Sequence, residues 1–259
     1  MVEFPTGKPH ISYSELKTWV LCTWRHKKIY IDKIELGEKS EYLFFGTDVH
    51  GGCEHYLKTR TLDIDSCLKA IERDWESNGF QNVEQWKRWA SVVLTDLPIF
   101  MDNEFPGWEC LDVEHQLYEE INGSDIKFKG FVDAIIKYKD KRGKEKVVVI
   151  DWKTAGAGGW FGFRRRDPLT HLQLQLYKLF LMKKLGVSSR DMSTAFVLLK
   201  RGGKPGKSID LLNISAGPKT HEHALKSVRN MISSVRRRVF IKNRNSCKGC
   251  EFYGTEHCT

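Results

Sequence analysis

The stretch Val147-Val148-Val149-Ile150-Asp151-Trp152-Lys153 runs from apolar, mostly β-branched residues into an acid and a lysine. Such a run is typical of a buried strand, and the glycine-rich residues 156–162 that follow predict a loop. Residues two apart in a strand project from the same face, so we expect Asp151 and Lys153 to point to one side and Trp152 to the other. The stretch therefore predicts a core strand that carries two polar groups at its end.

A second acid precedes this strand. Asp133 lies in Gly130-Phe131-Val132-Asp133-Ala134-Ile135-Ile136, which also has the composition of a strand and could pair beside the first. Two carboxylates are hard oxygen ligands for Mg²⁺ or Mn²⁺, and an adjacent lysine can position a water molecule and offset the charge of a phosphate. These groups predict phosphodiester hydrolysis. Asp-x-Lys alone is also common at exposed strand ends, so the prediction depends on its context.

The remaining elements follow from periodicity, capping residues and turns. Helices are predicted from the capping-box sequence Ser12-Tyr13-Ser14-Glu15 to about residue 30, after Phe44-Phe45-Gly46-Thr47, and near residues 64–78, 82–104, 168–186 and 220–243. Strands are predicted near residues 110–120, 125–138, 146–152, 196–199 and 209–214. This order predicts one α/β domain over residues 1–259, with helices flanking a mixed central sheet. Its parts are a mainly helical segment (1–105), a catalytic core (106–215) and a tail with a basic helix and cysteines (216–259).

Charge and cysteine content narrow the class of partner. The chain has 42 Lys and Arg against 33 Asp and Glu, which favours a polyanion such as DNA, although a basic balance can also serve solubility alone. No apolar run reaches the ~18 residues of a membrane span, and the first residues lack the basic start and apolar stretch of a signal peptide. We therefore expect a cytoplasmic protein without membrane association. Its seven cysteines then point to metal ligation rather than disulfides.

The order of these motifs resembles the PD-(D/E)xK nuclease superfamily and, within it, the RecB-like family. The family pattern is a histidine followed by Gly-x-x-Asp, Asp-x-Lys and a helical Gln-x-x-x-Tyr. In this chain Asp133 belongs to the first of these motifs, Asp151 and Lys153 to the second, and Gln173 and Tyr177 to the third. The histidine is His50 in Gly46-Thr47-Asp48-Val49-His50. Such a histidine considered alone is more often a surface or core residue than a ligand, but its order before Asp133 makes a ligand at least as good an explanation. The central acid is Asp151, where glutamate is also common. The resemblance implies a restriction-endonuclease-like core.

The resemblance also assigns roles. Lys153 would assist the nucleophilic water, and Gln173 and Tyr177 would support the site. Positions i and i+4 share one helix face, so these two side chains could together reach the lysine or a phosphate, while Gln175 faces elsewhere. Glu114 resembles a supporting acid on the strand before Gly-x-x-Asp. The implied ligands of Mg²⁺ or Mn²⁺ are His50, Asp133, Asp151 and the backbone carbonyl of Trp152.

Cys247-Lys248-Gly249-Cys250 and, after seven further residues, Cys258 bring three thiols together in sequence. Three thiolates leave one ligand of a tetrahedral zinc or a cubane iron–sulfur cluster missing. In a subset of RecB-like nucleases, including the CRISPR-adaptation nuclease and the AddB subunit, a lone N-terminal cysteine completes a 4Fe-4S site. Cys22 resembles that cysteine, although Thr23 replaces the usual proline. The alternatives are structural zinc, completed by Cys22 or His257, and unliganded thiols. The other cysteines are expected to be small buried residues: Cys53, Cys67 and Cys110.

Basic residues follow the Asp-x-Lys strand directly. Arg164-Arg165-Arg166 comes after Trp160-Phe161-Gly162-Phe163, where a loop could contact DNA through phosphate pairing and base stacking. Arg236-Arg237-Arg238 with Lys242 and Arg244 could extend this surface, or could form an ordinary solvated helix face.

Together the motifs predict a metal-dependent DNA nuclease that hydrolyses phosphodiester bonds. The resemblance implies an exonuclease on duplex ends or single strands, working in recombination, repair or CRISPR adaptation with a protein partner from such a system. A phage-encoded origin would place it in the host cytoplasm. The alternative is a non-catalytic nucleic-acid-binding subunit, or a structural iron–sulfur or zinc subunit, of a DNA-processing complex. The presence of every motif residue favours catalysis.

Overall fold

The computed structural model describes residues 4–37 and 40–258, and the chain forms two compact units. The terminal unit comprises Met1–Glu38, Gln116–Gly130 and Gly217–Thr259. The central unit comprises Lys39–His115 and Phe131–Ala216. The assignment of residues 1–259 to one domain stays a prediction.

The predicted strands and the predicted helices of residues 41–185 are all present. The helices are α1 (Tyr13–Leu21), α2 (Thr23–His26), α3 (Glu41–Thr59), α4 (Ile64–Asn78), α5 (Val83–Glu104), α6 (Gly162–Arg166), α7 (Pro168–Leu185) and α8 (Pro218–Arg236). The strands are β1 (His10–Ser12), β2 (Glu109–Glu120), β3 (Lys127–Lys139), β4 (Glu145–Ala155), β5 (Met192–Lys200) and β6 (Ile209–Asn213). None of the helices in residues 4–37 and 40–258 is long and apolar enough to cross a membrane.

The sheet of the central unit is mixed and places the Asp-x-Lys strand in its interior. β3 pairs antiparallel with β4, β4 parallel with β5, and β5 antiparallel with β6. A parallel pair needs a crossover connection, which α7 supplies between β4 and β5. Residues 147–152 are all buried, as expected for a strand covered on both faces. The predicted α/β class, with a mixed central sheet flanked by helices, is therefore confirmed.

Helix α3 packs on the sheet and against α5. Phe45, Val49 and Cys53 are buried at helical spacing and join the core that includes Trp152. Gly52 permits close packing, because a Cβ at that position would lie 2.9 Å from Leu94 Cδ2. This buried stripe leaves the next face of α3 available for polar groups beside the sheet.

In the terminal unit, α1 begins where the capping pattern predicts. Ser12 Oγ accepts a hydrogen bond from the Glu15 backbone N–H at 3.2 Å. The preceding strand β1 pairs in parallel with residues 127–129 of β3. Sequence analysis does not predict β1, because three residues are too few to show a periodic pattern.

The prediction of one helix to about residue 30, with Cys22 inside it, is wrong. Cys22 has an extended backbone (φ −164°, ψ 115°) between α1 and α2, and a π-helical turn, Lys27–Ile31, follows. Distant groups hold this break: Thr23 Oγ1 donates to the Ile241 carbonyl at 3.0 Å, and Asn243 Nδ2 donates to the Leu21 carbonyl at 2.8 Å. Local periodicity carries no information on such partners.

The basic helix also ends earlier than predicted. α8 stops at Arg236 rather than near residue 243, and Arg238 has a left-handed backbone with φ 53°. Ser234 Oγ donates to the Val239 carbonyl at 2.9 Å and closes the end of the helix. Lys242 and Arg244 therefore lie beyond the helix.

Candidate active site

Two aspartates lie side by side on adjacent strands. β3 and β4 pair with Ala134 opposite Ile150, so Asp133 and Asp151 follow at the next position of the ladder. Asp151 is 1% exposed, and Asp133 Oδ2 accepts the Trp152 backbone N–H at 2.7 Å. Burial raises the pKa of both carboxyls, and repulsion from Asp151 raises that of Asp133 further. The two acids together favour a bound proton or cation.

Lys153 completes the group on β4. Its ammonium forms an ion pair with Asp151 Oδ2 and lies 5.7 Å from the centre of the Phe196 ring. The Lys153 side chain is 31% exposed, so it borders solvent where the aspartate does not. Trp152 points the other way, into the core, as the alternation of a strand predicts.

Helix α7 brings a glutamine against the buried aspartate. Gln173 Nε2 donates to Asp151 Oδ1 at 2.6 Å and to the Tyr177 hydroxyl at 3.2 Å. Burial raises the pKa of Tyr177, so its hydroxyl stays protonated. Gln173 thus contacts the acid of the Asp-x-Lys strand and links it to Tyr177. The reach of the two side chains toward the lysine or a phosphate stays a prediction. Gln175 faces elsewhere, as expected, and its Nε2 donates to the Ser215 carbonyl at 3.5 Å.

His50, on α3, has an unused ring nitrogen. Its Nε2 is closed to solvent and has no hydrogen-bond partner within the part of the chain that the structure describes. Burial, together with the charge of Lys153, lowers the pKa of the imidazole to about 3, so the ring is neutral at pH 7. A buried polar atom of this kind needs an explanation, and a neutral imidazole nitrogen is a good metal ligand.

Glu54, which lies one helical turn after His50, is a further acid of the site that the sequence motifs do not include. Burial and the neighbouring Glu114, to which it is hydrogen-bonded, raise the pKa of Glu54 to about 7. The charge of Glu114 also contributes to the raised pKa values of Asp133 and Asp151. Glu114 itself has a left-handed backbone inside β2, with φ 49°. The i, i+4 spacing from His50 was the signal that could have identified Glu54.

The chemistry of these side chains fits a hard divalent cation. Carboxylate oxygens and an imidazole nitrogen are ligands of Mg²⁺ or Mn²⁺ sites, and His50 Nε2 lacks a protein partner in residues 4–37 and 40–258. Over the same residues, no three His, Cys, Asp or Glu side chains are arranged around one ion position. The Trp152 backbone N–H donates to Asp133, and the side chains of Gln173 and Lys153 contact the two oxygens of Asp151. A cation would therefore compete with the Lys153 ammonium for Asp151 Oδ2.

The four cysteines predicted to bind a cluster line one small cavity in the terminal unit. Cys22 occupies the break between α1 and α2, and its Sγ accepts the Asn243 backbone N–H at 3.4 Å. Cys247, Cys250 and Cys258 reach the same cavity from the turns after α8. All seven cysteines are free thiols. Cys53 and Cys67 are buried as expected, and Cys110 is half-buried.

The arginine run lies in the short helix α6, which residues 156–161 separate from β4. Arg164 stacks over the Trp160 ring at 4.9 Å, and Arg165 and Arg166 are exposed. In the second basic run, Arg236–Arg238, the first arginine already has an acidic partner, because Arg236 forms an ion pair with Asp125 within the terminal unit. The structure thus places the first run, Arg164–Arg166, on the same segment as the aspartate–lysine strand.

Comparison with protein families relates this chain to a nuclease superfamily. The sequence profile described as the PD-(D/E)XK nuclease superfamily matches residues 10–255. That range contains the aspartates, the lysine, His50 and the α7 pair. Among curated proteins, none matches the chain.

Solved structures resemble the fold. One is a protein of Eubacterium rectale named "Putative exonuclease", with a TM-score of 0.61 and 14% identity over 93% of this chain and 87% of that chain. At this identity the likeness shows a shared fold. Another is SSO0001, with a TM-score of 0.35 and 17% identity over 83% of this chain and 86% of that chain, a likeness on which no argument rests.

Proposed function

The chain belongs to the PD-(D/E)XK nuclease superfamily, and from this premise we propose that it is a Mg²⁺- or Mn²⁺-dependent deoxyribonuclease that hydrolyses phosphodiester bonds. The observation that carries the proposal is the placement of Asp133, Asp151 and Lys153 at one point of the sheet, with His50 Nε2 beside them and unsatisfied within the described residues. Burial of two acids that repel one another favours a cation, and the lysine borders solvent from which a phosphate can approach.

The side chains proposed to hold the cation are His50, Asp133 and Asp151, together with the backbone carbonyl of Trp152. When bound, the cation supplies Lewis-acid activation of the phosphate and lowers the pKa of a water molecule. The negative charge of Glu114 acts on both aspartates, and Glu54 is hydrogen-bonded to Glu114. Gln173 positions Asp151 by donating to Oδ1, which leaves Oδ2 for Lys153 or a ligand.

Lys153 is proposed to act on the reacting groups. As a water oxygen bonds to phosphorus and the bond to the leaving oxygen breaks, negative charge grows on the phosphate oxygens. An ammonium held at the edge of the site can orient the water and offset that charge. Tyr177 supports this arrangement through Gln173, since its protonated hydroxyl accepts the second hydrogen bond of that amide.

Exonuclease action on DNA ends or single strands is part of the proposal. It is supported by the resemblance of the motifs to RecB-like nucleases and by the name of the Eubacterium rectale protein that shares the fold. Arg164, Arg165 and Arg166 are proposed to bind phosphates of the DNA backbone, because they lie on the segment that follows the aspartate–lysine strand.

We further propose that Cys22, Cys247, Cys250 and Cys258 bind a 4Fe-4S cluster, with zinc as the alternative. Support comes from the small cavity that all four cysteines line, with Cys22 at the break between α1 and α2. Purified protein should be brown with absorbance near 400 nm, and Cys22→Ser should lose the colour. A colourless protein that contains stoichiometric zinc would reject the iron–sulfur assignment in favour of zinc.

The setting is proposed from the same features. Free thiols suit the reducing cytoplasm, including that of a host if the protein is phage-encoded. Recombination, repair or CRISPR adaptation, with a protein partner from one of these systems, would supply the DNA.

Lys153→Ala tests the nuclease proposal. We expect the wild type to cleave end-labelled DNA with Mg²⁺ or Mn²⁺ and not with EDTA, and the variant to be about 10²–10⁴-fold slower. Lys141→Ala, at an exposed lysine in the turn before β4, is the matched control and should keep wild-type activity. Thermal unfolding of both variants checks that each remains folded.

Each other outcome has a distinct meaning. Equal cleavage by the wild type and Lys153→Ala would contradict the assignment of the site. Absence of cleavage by the wild type on both single- and double-stranded DNA would favour the non-catalytic binding subunit. Resistance of closed circular DNA, with cleavage of the same DNA once linear, would support an exonuclease.

A further inference from the structure

Two phenylalanines beside the arginine run are the most exposed of the large apolar side chains that the structure describes. Phe161 is 77% exposed and Phe163 is 80% exposed, whereas the preceding Trp160 is buried. Exposed apolar surface is unfavourable in water, and two exposed aromatic rings only two residues apart are more than the scattered single residues of an ordinary surface. These rings therefore suit a partner that covers them.

The pair is anchored close to the proposed site. The Trp160 ring packs on Phe196, with ring centroids 5.4 Å apart, and the Lys153 ammonium lies 5.7 Å from the centre of the same Phe196 ring. Gly159 fixes the approach of the loop, because its φ is +71° and a Cβ there would lie 2.7 Å from an Asp210 carboxylate oxygen. The exposed rings thus follow Trp160 in sequence, and Trp160 packs on the same Phe196 ring that the Lys153 ammonium faces.

Positive charge from two separate elements accompanies the rings. Arg164 lies over Trp160, and Arg201 follows β5, where it stacks on the Tyr42 ring at 4.1 Å. Burial lowers the pKa of Arg201, and the nearby charge of Arg164 lowers it further. A matching partner must be anionic and must also offer flat apolar faces. A nucleic acid strand with unstacked bases has both properties.

We propose that Phe161 and Phe163 stack on unpaired bases, so that the substrate of this protein is single-stranded DNA or the frayed end of a duplex. In an intact duplex, neighbouring base pairs cover the faces of each base, and the rings would have nothing to stack on. Arg164 and Arg165 hold the adjoining phosphates. The inference rests on the proposed function and adds the strand state of its substrate.

Binding without cleavage tests this inference. Fluorescence anisotropy in EDTA would compare a labelled oligothymidine of about 20 nucleotides, the same strand in a duplex, and an abasic strand of that length. The variants are Phe161→Ala/Phe163→Ala and, to keep the aromatic faces, Phe161→Trp/Phe163→Trp. Ile99→Ala is the matched control, since Ile99 is 68% exposed on α5 and remote in sequence from the loop.

We expect the alanine variant to bind oligothymidine at least about 5- to 150-fold more weakly than the wild type, which is the range for losing the stacking of a single base. Its binding to duplex and abasic DNA should be unchanged, and the tryptophan variant and Ile99→Ala should bind as the wild type does. Equal loss on all three DNAs, unchanged binding to oligothymidine, or a wild type that does not bind it would overturn the inference. If this pattern appears but the wild type shows no metal-dependent cleavage, the nuclease proposal fails alone. Cleavage without this pattern refutes only the stacking.

Discussion

Gln173→Ala isolates the support of one buried carboxylate. The substitution removes the 2.6 Å hydrogen bond from Gln173 Nε2 to Asp151 Oδ1. Because Asp151 is 1% exposed, water has little access to replace the lost donor, and a buried acceptor left unsatisfied costs about 1–3 kcal/mol. In a chain of this size each kcal/mol lowers Tm by about 2–4 °C. We therefore expect the Tm of the metal-free variant to fall by about 2–12 °C.

The same substitution should weaken the response to metal. Loss of a hydrogen-bond partner of a metal ligand typically costs about 10–100-fold in metal affinity or activity. The assay is the initial rate of DNA cleavage as a function of Mn²⁺ concentration. We expect the half-saturating concentration to rise about 10–100-fold, with partial recovery of the rate at high Mn²⁺.

Gln175→Ala provides the control for this prediction. It makes the same chemical change two residues later on α7, where the amide donates to the Ser215 carbonyl instead of an acid. Its Mn²⁺ dependence should equal that of the wild type. An unchanged Mn²⁺ dependence in Gln173→Ala, or an equal change in the two variants, would refute the reasoning that Gln173 positions a metal ligand.

Further predictions concern pH and the glycine loop. The pKa of Glu54 is about 7 in the folded protein, which is higher than that of an unfolded glutamate. The metal-free protein should therefore lose stability as the pH rises from about 4 to about 7. Glu54→Gln should flatten this slope of Tm against pH in EDTA, and an unchanged slope would contradict the assignment. Asp191 should change stability with pH in the opposite direction. Hydrogen bonds from Lys144 and then from other side chains lower its pKa. Its contribution to stability is therefore complete above about pH 4 and is lost as the pH falls through the pKa of the folded state. Asp191→Asn should thus lower Tm at pH 7 and converge with the wild type in acid; parallel curves would argue against these bonds. Gly159→Ala should lower Tm by an amount equivalent to about 1–2 kcal/mol, because φ at this position is +71°. The control Gly156→Ala should leave Tm unchanged, because a Cβ at that position meets open space. Equal Tm values for the two variants would show that the loop tolerates a side chain at residue 159.

Local patterns predicted the elements that carry the nuclease motifs. The apolar run before Asp151 could only be satisfied by burial on both faces, so the central strand was predictable from its composition. The spacing of Gln173 and Tyr177 likewise placed both on one helix face, and Gln175 on another. Which group that face would reach was not predictable, because the choice of Asp151 depends on how α7 packs across the sheet.

The features that were not predicted depend on contacts distant in sequence. The break at Cys22 is held by Ile241 and Asn243, and a helical pattern of apolar residues continues across it without a sign of interruption. Glu54 was counted only as part of a helix, although its importance comes from Glu114 on another element. When the role of a side chain depends on a residue distant in sequence, the sequence of its own segment contains no pattern that predicts that role.

The break at Cys22 also bears on the order in which this protein can form during synthesis. The thiol and Thr23 near the start of the chain bond to residues that are translated 218 or more positions later. Contacts of such sequence separation are slow to close, and on the ribosome they cannot begin until residues 241–243 have emerged. By then residues 39–216, which contain the aspartates and the lysine, are already available to fold. A ribosome that stops short of residue 241 would therefore release a chain with its aspartate–lysine strand complete and its cysteine cavity open.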